Sequence, residues 1–155
     1  DYRGVSGACW RNTSYQAGGA PYCYAVQTGM ITYPLAEAAR LVRAHGLEAE
    51  VAPDGETYGD KATRYVQAAE DGVAFHAFEW SADGYYEFPA EATFLGANAG
   101  RDQPLNQSNA LGLTLLVLQE LTGDTGYLDQ ATPLAARHSA RGPGRERSAR
   151  VATPG

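Results

Sequence analysis

The stretch PLNQSNALGLTLLVLQELTGDTGYLDQATPLAARH, from Pro104 to His138, decides the fold. Its first half is almost wholly apolar and ends at the turn Thr122-Gly123-Asp124. Its second half has apolar residues at amphipathic spacing, which predicts another helix from about Gly126 to Arg137. The whole stretch is therefore predicted to be a helical hairpin.

A looser copy of this unit lies earlier in the chain. It consists of TYPLAEAARLVRAHG from Thr32, a polar loop, and GDKATRYVQAAEDGVAFHAFEW from Gly59. Lys61-Ala62-Thr63 in its second helix matches Gln130-Ala131-Thr132 in the later copy. A repeated helical hairpin buries its apolar face against another copy of itself. The sequence therefore predicts an all-α domain built from antiparallel helical hairpins.

The helix boundaries follow from the turn residues. The first helix is predicted from Pro34, in its first turn, to His45, with Gly46 as the stop. Asp60 is the expected cap of the second helix. The third helix carries apolar residues on every side from Leu111 to Leu121, which predicts burial all round.

The chain is expected to form one domain, residues 1–138, followed by an arginine-rich tail, residues 139–155, that reads as disordered. Residues 1–28 are rich in glycine and aromatic residues and predict loops, with a short helix near Cys23 to Thr28. A second long connection covers residues 81–100, and loops of that length are often functional. The chain starts at Asp1 without a signal-peptide pattern, so it is expected to be a processed chain, an expressed segment or a fragment.

The composition of the chain limits the classes of partner that the protein is expected to bind. The formal net charge of -6 argues against nucleic acid, which needs a basic face. No apolar run approaches the ~20 residues of a membrane span, so no membrane partner is expected. Cys9 and Cys23 are either a disulfide or two buried thiols, and the sequence leaves both open.

The sequence from Gln103 to Ala131 resembles the helical hairpins of α/α-toroid proteins that act on carbohydrates. The stretch Tyr24 to Gly29 is similar to the entry of an earlier hairpin in that group. The matching residues of the later hairpin are Pro104, Asn106, Asn109, Ala110, Thr122-Gly123-Asp124, Tyr127, Leu128 and Ala131. The group includes polysaccharide lyases, uronate epimerases and many glycoside hydrolases.

The resemblance implies a partial α/α-toroid-like array with long loops, in a secreted or periplasmic carbohydrate-active protein. A closed toroid needs more than the two hairpins recognised in this sequence, so the chain is a piece of a longer protein or partners complete the ring. The resemblance also implies that substrate lies in a cleft at one end of the inner helices, walled by the long loops.

Three groups of residues are candidates for that cleft. His76 and Glu79 are three apart and are predicted to form a proton-transfer pair, with Trp80 beside them; a histidine that merely ends a helix is the alternative. Tyr85 and Tyr86 are candidate acid–base or sugar-stacking residues in the long loop, and aromatic anchors of that loop explain them equally.

The third group comprises Asn106, Gln107 and Asn109, at the start of the third helix. Amides near a helix N-terminus suit an anionic group such as a uronate carboxylate. The alternative is that they cap the helix. Other chemistries are poorly supported, because the sequence has no G-x-S-x-G elbow, phosphate loop or H-E-x-x-H pair. The three histidines, His45, His76 and His138, are too scattered to suggest a metal site, and no cofactor is expected.

The leading interpretation is a lyase or epimerase in which His76 or a loop tyrosine takes a proton and Asn106 and Asn109 stabilise the resulting charge. His76→Ala is then expected to abolish turnover at nearly unchanged melting temperature. A glycoside hydrolase using carboxylates is the nearest enzymatic alternative. The other alternative is a non-catalytic structural or self-assembling module, in which a homo-oligomer covers the apolar faces that two hairpins leave free.

Overall fold

The structure is a computed structural model that describes residues 2–14 and 19–141, and it confirms the all-α fold class. Four long helices form two hairpins, and a minimal two-stranded ladder lies near the N-terminus. The helices are α1 (Ala25–Ala44), α2 (Tyr58–Phe75), α3 (Leu105–Thr122) and α4 (Gly126–Arg141), and the strands are β1 (Arg11–Asn12) and β2 (Tyr22–Cys23). Two 3₁₀ segments, Ala77–Glu79 and Thr93–Asn98, lie in the long connection between the hairpins.

The two hairpins pack through α1 and α3, which run in parallel. Gly29 of α1 lies against the backbone of Ala110 in α3, and three residues further on Thr32 Oγ1 lies 2.9 Å from Thr114 Oγ1. Within each hairpin the helices are antiparallel. Gly72, near the end of α2, lies beside Thr32 of α1. The layout is therefore two inner parallel helices with α2 and α4 packed beside them.

Small residues let the inner helices approach closely. A Cβ atom on Gly29 would lie 2.3 Å from the carbonyl carbon of Ala110, so only glycine fits at this position. Ala36 and Ala39 of α1 are fully buried, as are Leu111 and Leu115 of α3. The core between the hairpins thus combines alanine on one helix with leucine on the other.

Helix α1 is longer than the sequence predicts. It begins at Ala25, so Pro34 lies in the helix interior and the predicted start at Pro34 is wrong. The missing proline N–H leaves the carbonyl of one preceding residue without its intrahelical donor. The short helix predicted near Cys23 to Thr28 is the first turn of α1, so the helix has nine more residues, about two and a half turns, than the predicted start at Pro34 allows.

The start of α2 is a reciprocal cap. Thr57 is the N-cap residue, and its Oγ1 accepts a hydrogen bond from Asp60 N at 3.0 Å. The Thr57 hydroxyl in turn donates to Asp60 Oδ2 at 2.7 Å. The prediction that Asp60 is the cap residue is therefore wrong, because the cap residue is Thr57, three positions earlier. Asp60 supports that cap from within the first turn of α2.

Helix α3 is not buried on every side. Leu113 and Leu116 are 48% and 49% exposed, which corrects the prediction of all-round burial. Helices α1, α2 and α4 pack against α3, and no element within residues 2–14 and 19–141 covers the side that carries these two leucines. Helix α4 continues to Arg141, so residues 139–141 of the expected tail are helical; the expected disorder of residues 142–155 lies outside the described residues.

The N-terminal segment is tied to the start of α1. Cys9 and Cys23 form a disulfide, with their Cα atoms 5.9 Å apart, and β1 pairs with β2 in the register Arg11 to Cys23. Tyr22 and Phe88 centre a second apolar cluster that joins this segment to the long connection. In the part of the chain that the structure describes, no helix has both the length and the apolar character needed to cross a membrane.

Candidate functional site

A buried polar network lies at the end of α2. His76 is the C-cap of the helix, and Glu79 follows in the 3₁₀ segment, so the two do not share a face of α2 as the spacing predicts. They are nevertheless in contact: Nδ1 of His76 lies 2.8 Å from Oε2 of Glu79. Because a carboxylate only accepts hydrogen bonds, Nδ1 is the donor; Nε2 lies 2.8 Å from the Thr28 hydroxyl oxygen.

Two more donors converge on the Glu79 carboxylate. Gln103 Nε2 donates to Oε2 at 2.8 Å, and the Tyr22 hydroxyl donates to Oε1. Burial, reinforced by the nearby Glu79, raises the pKa of Tyr22 far above its ordinary value, so Tyr22 stays a donor. The network joins β2, α1, α2 and the segment that precedes α3.

This network is closed to solvent. His76 is fully buried and Glu79 is 3% exposed, and both side chains in the pair have no accessible surface. A proton-transfer pair needs contact with the substrate, and the structure gives this pair none. The geometry supports a role in holding the helix end, the long connection and the N-terminal segment together.

The loop tyrosines are also held by structural contacts. Tyr86 is buried, its hydroxyl donates to Gln130 at 3.2 Å, and its ring packs edge-on against Trp80 with centroids 4.9 Å apart. Burial raises the pKa of Tyr86. The ring of Tyr85 lies under the Arg137 guanidinium at 3.7 Å, and a hydrogen bond to Glu87 raises the pKa of its phenol. Neither phenol is therefore disposed to lose its proton near neutral pH.

The amides at the start of α3 diverge. Asn106 is exposed, and Asn109 Nδ2 lies 3.1 Å from Nδ1 of His138 on α4. Neither side chain caps α3, whose N-cap residue is Pro104. Gln107 points to the other side of the helix, where it lines a groove. The three amides do not form one cluster, contrary to the expectation of a shared anion site.

The groove with Gln107 lies where α1 and α3 both begin. Its volume is about 740 Å³, and its walls combine aromatic rings, amides and aliphatic side chains with one cation. The lining residues of chemical interest are Trp10, Arg11, Tyr24, Gln27, Phe88, Asn98 and Gln107. They come from β1, the first turns of α1, the long connection and the first turn of α3.

Two amide groups in this groove have unused hydrogen-bonding capacity. The Oε1 atoms of Gln27 and Gln107 are buried and have no hydrogen-bond partner among the described residues. A buried acceptor without a donor costs roughly 1–3 kcal/mol. Rotation of either amide toward a ligand hydroxyl in the groove removes that cost, so both residues favour a polar ligand.

The electrostatics of the groove favour an anion. Arg11 is the only charged residue among the described residues that line it. Helices α1 and α3 both begin here, and neither has an acidic residue in its first turn, so the positive ends of two helix dipoles face the same region. A chain with a net charge of -6 thus keeps a positive patch at this groove.

Of the eight residues singled out from the sequence, only Gln107 reaches this groove. His76 and Glu79 are brought together, as are Trp80 and Tyr86, but in the core. The sequence analysis missed Trp10, Arg11 and Tyr24, whose signal was the cluster of aromatic residues around the cysteine pair. No group of metal-binding side chains occurs within residues 2–14 and 19–141.

Comparison with known proteins adds no relative: no family model, no curated protein and no solved structure matches this chain.

Proposed function

We propose that the protein binds an anionic carbohydrate in the groove at the start of α1 and α3. The observation that carries the proposal is the composition of the groove walls: three aromatic rings, three side-chain amides and a single arginine around one volume of about 740 Å³. A volume of this size suits a ligand of a few sugar rings.

A sugar-binding site needs both aromatic and hydrogen-bonding side chains in its walls. Their C–H faces pack against aromatic rings, which Trp10, Tyr24 and Phe88 supply. Their hydroxyl groups both donate and accept hydrogen bonds, and amides such as Gln27 and Gln107 can meet both requirements. The unpartnered Oε1 atoms of these two glutamines support a ligand that donates hydrogen bonds.

The charge supports an acidic sugar. A carboxylate on the ligand can pair with the Arg11 guanidinium through two parallel hydrogen bonds. The N-termini of α1 and α3 add to the attraction. Uronic-acid units therefore fit the groove better than neutral sugars do.

Lyase or epimerase chemistry on such a ligand is the reaction we propose, with a change of the expected base. The fully buried His76 has no path to the ligand. Tyr24 lines the groove at the N-cap of α1 and supplies the one phenol among the described lining residues. A hydrolase needs a pair of carboxylates, and no carboxylate is among the described residues that line the groove.

The test is a calorimetric titration of the protein with uronic-acid oligosaccharides and with neutral oligosaccharides of equal length. We expect saturable binding of the uronic series, at least about tenfold tighter than the neutral series, because only the former pairs with Arg11. No heat with any sugar, under conditions where the protein is folded by circular dichroism, would contradict the proposal.

The reaction has a separate test. With a uronic ligand that binds, wild type is incubated and the product is followed by the ultraviolet absorbance of the unsaturated sugar, or by NMR for epimerisation. We expect Tyr24→Phe to keep binding within about threefold while losing turnover, because the ring remains and the hydroxyl is gone. Binding without turnover in wild type would leave recognition as the function and remove the catalytic step.

A further inference from the structure

Two helix sides, one on α1 and one on α3, that no other described element covers carry an inference apart from the ligand proposal, although Met30 borders the groove as well. On α1, Met30 is 69% exposed and Leu41 is 46% exposed, although both are large and apolar. On α3, Leu113 and Leu116 are exposed to a similar degree. Large apolar side chains in a row on a helix normally face another element.

The internal repeat relates each row of exposed apolar residues to a packed face elsewhere in the chain. Gly46 and Gly123 both follow an inner helix and both have positive φ, so they mark the same point of the repeated hairpin. Aligning these glycines places Gly29, Thr32 and Ala36 of α1 on Asn106, Asn109 and Leu113 of α3. The first three lie on the face by which α1 packs on α3, where Gly29 meets Ala110 and Thr32 meets Thr114.

The exposed row of α3 is therefore the repeat of the face that α1 uses to pack on α3. We define the α3 face as Asn109, Leu113, Leu116 and Glu120, which share one side of the helix by their spacing.

The same alignment works in the other direction. The α3 residues that pack toward the first hairpin, Leu111, Thr114 and Leu118, correspond to Pro34, Glu37 and Leu41 of α1. We define the α1 face as Pro34, Glu37 and Leu41, which share one side of the helix by their spacing. The chain thus carries both halves of its own internal interface, and no other described residue covers either half.

We propose that a second copy of the chain docks its α1 face on the α3 face of the first, repeating the α1–α3 contact between molecules. Leu113 and Leu116 then pack against Pro34 and Leu41. This association goes beyond the proposed carbohydrate function and does not depend on it.

The repeat also sets the polar contact at the centre of the docked pair. Asn109 and Glu37 occupy the positions of the Thr32–Thr114 contact, and an asparagine amide can donate to a glutamate carboxylate. Glu120 stays beside Arg40 of its own chain, whose Nη1 lies 3.9 Å from Glu120 Oε1.

One position limits the fit. Asn106 and Tyr33 take the places of Gly29 and Ala110, so the tight contact at Gly29 is not reproduced. The docked pair must be wider at the N-terminal end of these helices. Because the two faces differ, the contact is head-to-tail, and it builds a closed ring or an open chain of copies rather than a two-fold dimer.

The experiment is sedimentation velocity of the whole chain over a wide range of concentration. We expect association that grows with concentration. Leu116→Glu, on the α3 face, and Leu41→Glu, on the α1 face, should each weaken it by roughly 100-fold, because each places a charge in the apolar contact. Val51→Glu is the matched control, since Val51 is 64% exposed and lies on neither face.

Mixing the two variants tests the direction of pairing. Leu116→Glu keeps an intact α1 face and Leu41→Glu keeps an intact α3 face, so an equal mixture should form one-to-one dimers and nothing larger. Circular dichroism confirms that all three variants are folded. A wild-type monomer at every concentration, equal loss in Val51→Glu, or a mixture that stays monomeric would overturn the proposal.

Discussion

The buried network at His76 and the open groove at Gln107 show two different uses of polar side chains. In the network, three polar side chains, Tyr22, His76 and Gln103, surround one carboxylate in the core. In the groove, two amide oxygens have no partner among the described residues and the aromatic walls face an open volume. Gln103 Oε1 in the network also has no partner among the described residues, so the two regions differ in enclosure: the side chains of the His76–Glu79 pair have no accessible surface, whereas the groove amides lie beside an open volume.

The largest expected effect breaks the network. His76→Ala leaves the Glu79 carboxylate in the core without its histidine donor, and we expect the free energy of unfolding to fall by about 3 kcal/mol. Urea denaturation followed by circular dichroism measures the change. The exposed His45→Ala is the control, expected to stay within about 0.5 kcal/mol of wild type. Unchanged stability with lost activity would restore the catalytic interpretation of His76.

The next effect concerns the contact between the hairpins, which positions the groove. Gly29→Ala forces a Cβ atom to 2.3 Å from the Ala110 backbone, so we expect it to lower the free energy of unfolding by about 2 kcal/mol. Thermal unfolding of the two proteins measures this loss of stability.

Gly112→Ala, on α3, is the matched control for Gly29→Ala. A Cβ atom there meets only the Leu134 side chain, at 3.4 Å, which is ordinary van der Waals contact. Because alanine is the better helix former, the change should raise stability by up to about 1 kcal/mol. Equal destabilisation by the two substitutions would contradict the close approach of α1 and α3 at Gly29.

The groove is expected to respond in affinity rather than in stability. Arg11→Gln removes the only cation of the described groove lining, and we expect about tenfold weaker binding of a uronic oligosaccharide, about 1.4 kcal/mol. Calorimetric titration measures it. Arg64→Gln, an exposed cation outside the groove, serves as control and should bind as wild type does. Equal loss in both variants would point to a general charge effect.

Gln107→Ala tests whether a groove residue contributes to sugar binding without contributing to stability. Because Oε1 of Gln107 is a buried acceptor without a partner among the described residues, its removal should not lower the free energy of unfolding by more than about 0.5 kcal/mol. The same change should weaken sugar binding about fivefold, through the loss of one hydrogen bond of about 1 kcal/mol. Thermal unfolding and titration of one sample give both numbers. A large loss of stability would place Gln107 with the structural residues.

The smallest effect lies on the surface, in the salt-bridge cluster before α2. Hydrogen bonds from Arg64 and then Lys61 lower the pKa of Glu56 from 4.5 to about 2. A carboxyl group with a depressed folded-state pKa contributes stability above its unfolded pKa and loses that contribution as the pH falls through its folded pKa. The difference in stability between wild type and Glu56→Gln should therefore be small at neutral pH, fall below about pH 4.5 and vanish near pH 2.

Acid titration of thermal stability in the two proteins measures this difference. A difference that persists unchanged down to about pH 2 would show that Glu56 is not held by the two cations.

The sequence predicted the hairpins because apolar spacing and turn residues are local signals. Gly46 and Gly123 each follow an inner helix, as expected, and α4 begins at Gly126 as predicted. The start of α1 was missed because Pro34 is a typical first-turn residue, and only the packing against α3 extends the helix back to Ala25. Local signals therefore located the turn within each hairpin better than they located the start of α1 or the end of α4.

The site was harder to predict than the fold. The spacing of His76 and Glu79 correctly indicated contact, but spacing carries no information on burial, and burial decides whether a histidine can reach a substrate. The groove is assembled from Trp10, Gln27, Asn98 and Gln107, which are far apart in sequence. A disulfide and the parallel pairing of α1 with α3 bring them together, and neither was fixed by a local pattern.

The most direct test of the account is an NMR titration of the ¹⁵N-labelled chain with a uronic oligosaccharide. We predict that the largest shifts occur at the Trp10 indole N–H and at the side-chain amides of Gln27, Asn98 and Gln107, while the resonances of His76 stay in place. Shifts centred on His76 and the loop tyrosines, or no shifts at all with the protein folded, would contradict the assignment of the groove as the functional site.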